Sequence, residues 1–197
     1  MKIFLLTLLL FSPSLFSHPI DRSMTNFQMH QINHHVDRFD FSGEFPNLQN
    51  IDIDGRKKKR VEFDLSGDYP LLNSVRYQGS FGFLKGAFTG KYPSLSFVTI
   101  LAKNCAIQLD LKGRWSCDCE MIIRGMKEDV IIHLPEDIGL IIHTKTSPSG
   151  KVFAKKGLKK QNRWTIWKKT YQNPLAKTAS VVLTLNIETT DGKIFLH

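Results

Sequence analysis

Four short stretches of this sequence repeat nearly the same phrase, and that repeat restricts the fold more than any other feature. They centre on Gly43, Gly67, Gly90 and Gly113, which are 24, 23 and 23 residues apart. FSGEFPNL, LSGDYPLL and FTGKYPSL are full copies, and the fourth copy is degenerate. A repeat of roughly 20 to 50 residues indicates stacked units, because each unit is too short to bury its apolar face alone.

Each copy carries an aromatic residue two positions after the glycine, namely Phe45, Tyr69, Tyr92 and Trp115. The full copies continue with an alternating apolar trio, such as Leu72, Val75 and Tyr77. Apolar residues at period two, rich in β-branched and aromatic types, predict strands. We therefore expect a mainly β protein, a single-stranded parallel β-solenoid with strands about 4.8 Å apart and an aromatic ladder along one edge. The alternative is an antiparallel β-sandwich with similar turns.

The glycine and proline of each copy suggest why the motif is repeated. Glycine supplies a backbone conformation that other residues resist, and the prolines Pro46, Pro70 and Pro93 end strand pairing by removing a donor. We expect the glycines to serve this conformational purpose.

The beginning of the chain has the pattern of a secretory signal: a basic Met1-Lys2, the apolar run IFLLTLLLF, and small residues near Ser17. We predict a signal peptide over 1–17, a flexible irregular arm or cap over 18–40, and the solenoid over 41–197. The protein is then exported, to the periplasm, the cell surface or the medium. No later stretch has the roughly 20 apolar residues that a membrane-spanning helix needs.

The formal net charge of +9 predicts attraction to anionic partners. A run of five basic residues is one candidate contact: Arg56, Lys57, Lys58, Lys59 and Arg60. A second basic region surrounds indole rings, a combination that suits a membrane interface: Lys155, Lys156, Lys159, Lys160, Trp164 and Trp167, with Lys168 and Lys169 beside them. Solvated loops, or a strand with Trp164 facing the core, remain alternatives. The partner is anionic lipid, polysaccharide or an envelope protein, and an exported location disfavours nucleic acid.

Catalytic chemistry has little support in the residues. The Gly-x-Ser-x-Gly, P-loop and His-Glu-x-x-His patterns are missing from the sequence. A disulfide between Cys105 and either Cys117 or Cys119 is expected, with a redox-active Cys117-Asp118-Cys119 as the alternative. His30, His34 and His35 are treated as solvated rather than metal-binding. We therefore expect no enzyme, cofactor or metal.

Two families resemble parts of the chain. AFTGKYPSLSFVTI, 87–100, is similar to bacterial surface leucine-rich repeats, although the asparagine ladder and helical return of that family are missing. Ile132, Leu134 and Pro135, then Gly139 and Gly150, resemble the bacterial toastrack group of uncharacterised adhesin-head-like domains, as does the closing TTDGKIFL. This resemblance implies an adhesin-like β-solenoid and transfers no catalytic residue.

The resulting hypothesis is an exported, non-enzymatic envelope or surface protein that binds an anionic partner. The alternatives are a structural or assembly protein of the envelope, or a small envelope enzyme acting on a redox partner or a polysaccharide.

Overall fold

The computed structural model describes residues 17–18, 20–29, 36–56, 59–161 and 167–197. Nearly all regular structure in these residues is β, apart from a 3₁₀ helix at Pro174–Lys177. Two long sheets face each other, and each turn of the chain adds one strand to each of them. The predicted parallel β-solenoid is confirmed. Among the described strands, antiparallel pairing is confined to one strand near the end, so the antiparallel sandwich is wrong.

Sheet A contains eight strands in this spatial order: β1 (Ser17–His18), β3 (Val36–Asp40), β5 (Arg60–Leu65), β7 (Gly82–Phe88), β10 (Cys105–Asp110), β13 (Val130–His133), β19 (Ile194–Leu196) and β15 (Val152–Ala154). Sheet B contains nine: β16 (Lys159–Lys160), β17 (Lys168–Gln172), β14 (Gly139–Thr146), β18 (Val182–Thr189), β12 (Cys119–Met126), β9 (Phe97–Lys103), β6 (Ser74–Gly79), β4 (Asn50–Gly55) and β2 (Asn26–Met29). β8 (Lys91–Tyr92) and β11 (Arg114–Trp115) form a short third sheet.

The core forms because equivalent residues of successive coils align. Ile51 pairs with Val75, which pairs with Val98 in the next strand of sheet B. All three are at most 1% exposed, while the residues on either side of them in each strand point outward. Every second residue of each strand points inward. The parallel stack therefore buries a continuous apolar column that no single coil could bury.

The repeat aromatics form the predicted ladder along one edge of the solenoid, and their side chains are buried there. Ring centroids lie 5.7 Å apart for Phe45 and Tyr69, 5.6 Å for Tyr69 and Tyr92, and 4.8 Å for Tyr92 and Trp115. All four side chains are buried. The ladder therefore fills the corner where the chain turns from sheet A to sheet B.

The expected role of the repeat glycines is wrong for three of them. Gly43 has a left-handed φ of +102°, but Gly67, Gly90 and Gly113 do not require one. A Cβ on Gly67 would lie 2.0 Å from the carbonyl oxygen of Gly43, and one on Gly90 would lie 2.2 Å from that of Gly67. These glycines are needed because the backbones of neighbouring coils touch at this corner.

The predicted arm at 18–40 contains part of the solenoid. β2 pairs with β4, and β3 pairs with β5, both in parallel. With β1, which pairs with β3, these strands extend both sheets at one end of the stack, so parallel strands begin before residue 41. The signal segment before residue 17 and the histidines His30, His34 and His35 lie outside the described residues.

The last coil does not follow sequence order. β18 lies between β12 and β14 in sheet B, and β19 lies between β13 and β15 in sheet A. The carboxyl-terminal coil is thus inserted between two coils that precede it in the chain. The coil of β14 and β15 is paired to the rest of the stack through this insertion.

Candidate basic trough on sheet B

The outward residues of sheet B form rows that run across the strands. Parallel pairing without a register shift brings every equivalent outward side chain into line along the solenoid axis. One row near the ends of the strands carries much of the charge, and it consists of Asp54, Gln78, Leu101, Arg124, Glu188, Lys145 and Lys168. Lys103 lies two residues further along β9 than Leu101, in the next outward row beside Met126.

Two adjoining depressions of about 510 and 590 Å³ lie over these rows. Both are lined by Arg124 and Glu188, so they form one continuous surface. We call it the basic trough, and define it by its five outward cationic residues: Arg56, Lys103, Arg124, Lys145 and Lys168.

Glu188 is an acidic residue at the centre of the trough. Its carboxylate lies 3.9 Å from Arg124 Nε and accepts a hydrogen bond from Lys145 Nζ. At the far end, Arg56 NH2 donates to Asp54 Oδ2 at 2.6 Å. Two carboxylates against five cations leave the trough positively charged. Its exposed ion pairs contribute little stability, since pairs of this kind are worth at most about 1 kcal/mol.

The first predicted basic run is divided by the corner between the sheets. Arg56 belongs to the trough, whereas Arg60 lies on the outer face of sheet A. There its Nε donates to Glu62 Oε1 at 2.6 Å and its guanidinium lies 5.2 Å from the centre of the Phe83 ring. Lys59 is exposed in the connecting turn. Lys57 and Lys58 lie outside the described residues.

The second predicted basic region lies mostly outside the trough. Lys159 and Lys160 form β16, the outermost strand of sheet B, where charged side chains discourage pairing with another chain. Lys155 Nζ lies 3.5 Å from Glu136, and with Lys156 it lines a separate depression. Trp167 is 44% exposed in front of β17. Trp164 lies outside the described residues.

Sequence reasoning missed Lys103, Arg124 and Lys145 as site residues. Arg124 and Lys145 directly follow the inward residues Ile123 and Thr144. The signal was therefore present as an outward position between two inward residues near the end of each strand. It could be found only by aligning strands whose pairing was not yet known.

The expected disulfide is not formed in the structure, because Cys105, Cys117 and Cys119 are free thiols. Cys119 begins β12, whereas Cys105 follows β9 at the opposite end of the β9–β12 pair. That separation is too long for a bridge without backbone movement. Burial raises the pKa of Cys105 to about 11 and that of Cys119 to about 12. Both thiols stay protonated near neutral pH, which disfavours nucleophilic or redox chemistry.

The described part of the chain contains no group of three or more histidine, cysteine or acidic residues placed to hold a metal ion. It also contains no helix with the length and apolar character needed to span a membrane.

The fold and its outward row of charged residues define a class of protein, the parallel β-solenoid with a charged sheet face. No protein-family model and no curated protein matches the chain. Among solved structures, the chain is similar to a candidate cell adhesion protein from Clostridium sporogenes, with a TM-score of 0.52 and 13% sequence identity. The match covers 82% of this chain and 91% of that one. At this identity the likeness concerns the fold.

Proposed function

We propose that this protein is an exported, non-enzymatic, adhesin-like β-solenoid that binds an anionic partner through the basic trough. The observation that carries the proposal is the placement of five cations, Arg56, Lys103, Arg124, Lys145 and Lys168, along the outer face of sheet B. Cations on a rigid sheet attract anionic surfaces without first being ordered. The adhesion-type structural neighbour and the predicted signal peptide support an envelope or surface location.

The test compares binding of the purified chain to vesicles with anionic or neutral headgroups, and to an acidic or a neutral polysaccharide, at low and high salt. We expect binding to anionic probes that weakens as salt is raised, because exposed charges are screened beyond a Debye length of about 8 Å at physiological ionic strength. Equal binding to neutral probes would contradict the proposal. Polysaccharide recovered at its original length supports a binding protein, whereas shortened chains would indicate an enzyme.

A matched pair of variants locates the contact. Lys103→Gln with Lys145→Gln removes two charges from the trough. Lys85→Gln with Lys112→Gln removes the same charge from exposed positions elsewhere, since Lys85 lies on the outer face of sheet A. We expect the first pair to weaken binding and the second to leave it nearly unchanged. The same loss in both would show that net charge, rather than the trough, attracts the partner.

A structural or assembly role is the second candidate, and the edge of sheet A favours it. β15 is the last described strand of that sheet, and its three residues are Val152, Phe153 and Ala154. It carries no charge, and Phe153 is 47% exposed. An uncharged edge can pair with another chain. Sedimentation that shows a strict monomer at all concentrations would exclude this role.

A further inference from the structure

The trough has the shape of a linear polymer rather than of a flat surface. It extends from β4 to β17, which are six strand spacings apart in sheet B, or about 29 Å at 4.8 Å per strand. Across that length its lining residues occupy three neighbouring outward rows, which together are about 13 Å wide. Its cations come from the end of β4 and from β9, β12, β14 and β17, so they are spread along the whole length.

Uncharged side chains occupy the spaces between the cations. Asn186, His143 and Thr170 line the first depression, and His143 Nδ1 lies 3.1 Å from Thr170 Oγ1. Ile122 and Leu101 add small, half-buried apolar patches. Amide, imidazole and hydroxyl groups suit the hydroxyls of a sugar chain, while the apolar patches suit the C–H faces of its rings.

A lipid surface fits the trough less well. A protein that lies on a bilayer inserts large apolar side chains between the headgroups. Six large hydrophobic side chains are exposed in the described part of the chain, and one of them, Met126, lines the trough. Of the others, Phe153 lies on sheet A, Phe97 lies on sheet B two outward rows from Leu101, and Trp167 precedes Lys168 at the end of the trough.

Glu188 indicates where an anionic group of the ligand would bind. Its carboxylate lies between Arg124 and Lys145 and contacts both. A carboxylate or sulfate of a ligand in the trough would take over these two cations while Glu188 turns to solvent. Glu188 is therefore a competitor that lowers the affinity of the empty trough.

We propose that the ligand is an acidic polysaccharide, and that one chain of it lies along the solenoid axis, across the strands of sheet B from Arg56 to Lys168. The inference rests on the proposed function and names the ligand class of the same trough. It requires that affinity depend on the length of the ligand, which a single-headgroup or single-ion site would not do.

The test measures the affinity of the purified chain for carboxylated and sulfated oligosaccharides of increasing length by calorimetry. Affinity should rise with length and level off once the oligosaccharide spans about 29 Å, the distance from β4 to β17. The slope of log K against log salt should grow over the same range, because each further ion contact releases counterions. Affinity independent of length would overturn the inference.

Variants distinguish binding in the trough from attraction by the net charge of the protein. Lys103→Gln and Lys145→Gln should each weaken binding of the longest oligosaccharide about fivefold. Lys85→Gln, on sheet A, should change it less than twofold. Glu188→Gln should tighten binding several-fold, whereas Glu62→Gln, which removes a similar exposed partner from Arg60, should not. Equal effects at trough and control positions would overturn the proposed site.

Anionic vesicles of phosphatidylglycerol separate the failure of this inference from that of the proposed function. Binding to vesicles without binding to any oligosaccharide would overturn the polysaccharide ligand and leave an anionic partner standing. Binding to neither would overturn both proposals. Vesicle binding that the long oligosaccharide displaces supports the inference, since both probes then use one site.

Discussion

The rings of Tyr69 and Tyr92 stack with their planes within 1° of parallel and their centroids 5.6 Å apart. Each phenol also bonds to the backbone of an earlier coil. Tyr69 OH donates to the carbonyl oxygen of Phe41, and Tyr92 OH donates to that of Leu65. The repeat tyrosines therefore join neighbouring coils by both packing and hydrogen bonding, and burial raises the pKa of both phenols.

Tyr69→Phe should destabilise the protein by about 1–3 kcal/mol. The change keeps the stacked ring but removes the donor to Phe41 and the acceptor for Gly67 N–H, which donates to the phenol at 3.0 Å. Buried polar groups that lose a partner cost about this much. Denaturant unfolding measures the effect. Tyr171→Phe is the control, since its phenol forms no hydrogen bond with the described residues; equal losses would contradict the prediction.

Gly67→Ala should destabilise by at least about 2 kcal/mol, because its Cβ would meet the Gly43 carbonyl oxygen at 2.0 Å and force two coils apart. Gly125→Ala is the matched control. Its nearest neighbour would be Val130 at 3.5 Å, an ordinary contact, so we expect a neutral or slightly stabilising effect. Thermal unfolding of both variants tests the pair, and similar melting temperatures would show that the coils can separate at little cost.

Stability should fall as pH rises above about 9. The ordinary thiol pKa of 9.0 is raised to about 11 for Cys105 and about 12 for Cys119 by burial. Above pH 9 the unfolded thiols lose protons that the folded ones keep. The free energy of unfolding is therefore fully retained below pH 9 and decreases toward pH 11, by up to about 1.4 kcal/mol per pH unit for each thiol.

Chemical denaturation at a series of pH values measures this decrease. The Cys105→Ala, Cys119→Ala double variant should lose most of the slope between pH 9 and 10, although its stability at pH 7 is lower. Above pH 10 the buried tyrosines add a decrease that the variant retains. A wild-type profile that is flat up to pH 10.5 would contradict the assignment to the thiols.

Deletion of residues 181–197 should detach the coil of β14 and β15. That coil pairs with β18 and β19, which in turn pair with β12 and β13. Limited proteolysis should then cleave within 139–154, which contains β14 and β15, at a rate much higher than in the full chain. Deletion of residues 17–29 removes an end of the stack and serves as control. It should leave 139–154 protected, and cleavage there in both deletions would show that the insertion is not the attachment.

Much of the solenoid followed from the sequence. The glycine spacing gave the length of a coil, and the alternation of Leu72, Val75 and Tyr77 predicted a buried strand that the structure confirms. The predicted aromatic ladder is present, and its side chains are buried. The mistake over Gly67 arose because one sequence shows which residues need small side chains, but not whether conformation or a neighbouring backbone is the cause.

The trough was harder to predict from the sequence. Its residues come from strands far apart in sequence, and Arg124 and Lys145 are brought within reach of Glu188 by the inserted coil. The basic runs that stood out in the sequence are mostly at a corner or on an edge strand. A run of charged residues can be recognised in the sequence. A row of charged residues across several strands can be recognised only when the pairing register of those strands is known.

Local alternation and the 23-residue period were sufficient for the strands, their parallel stacking and their inward faces, because these depend on which side of a strand is apolar. The order of the last coils was decided in three dimensions. β14 and β18 are both apolar strands that could extend β12, and nothing in their alternation distinguishes them. Only the competition between long-range pairings places β18 next to β12, and with it the basic row on sheet B.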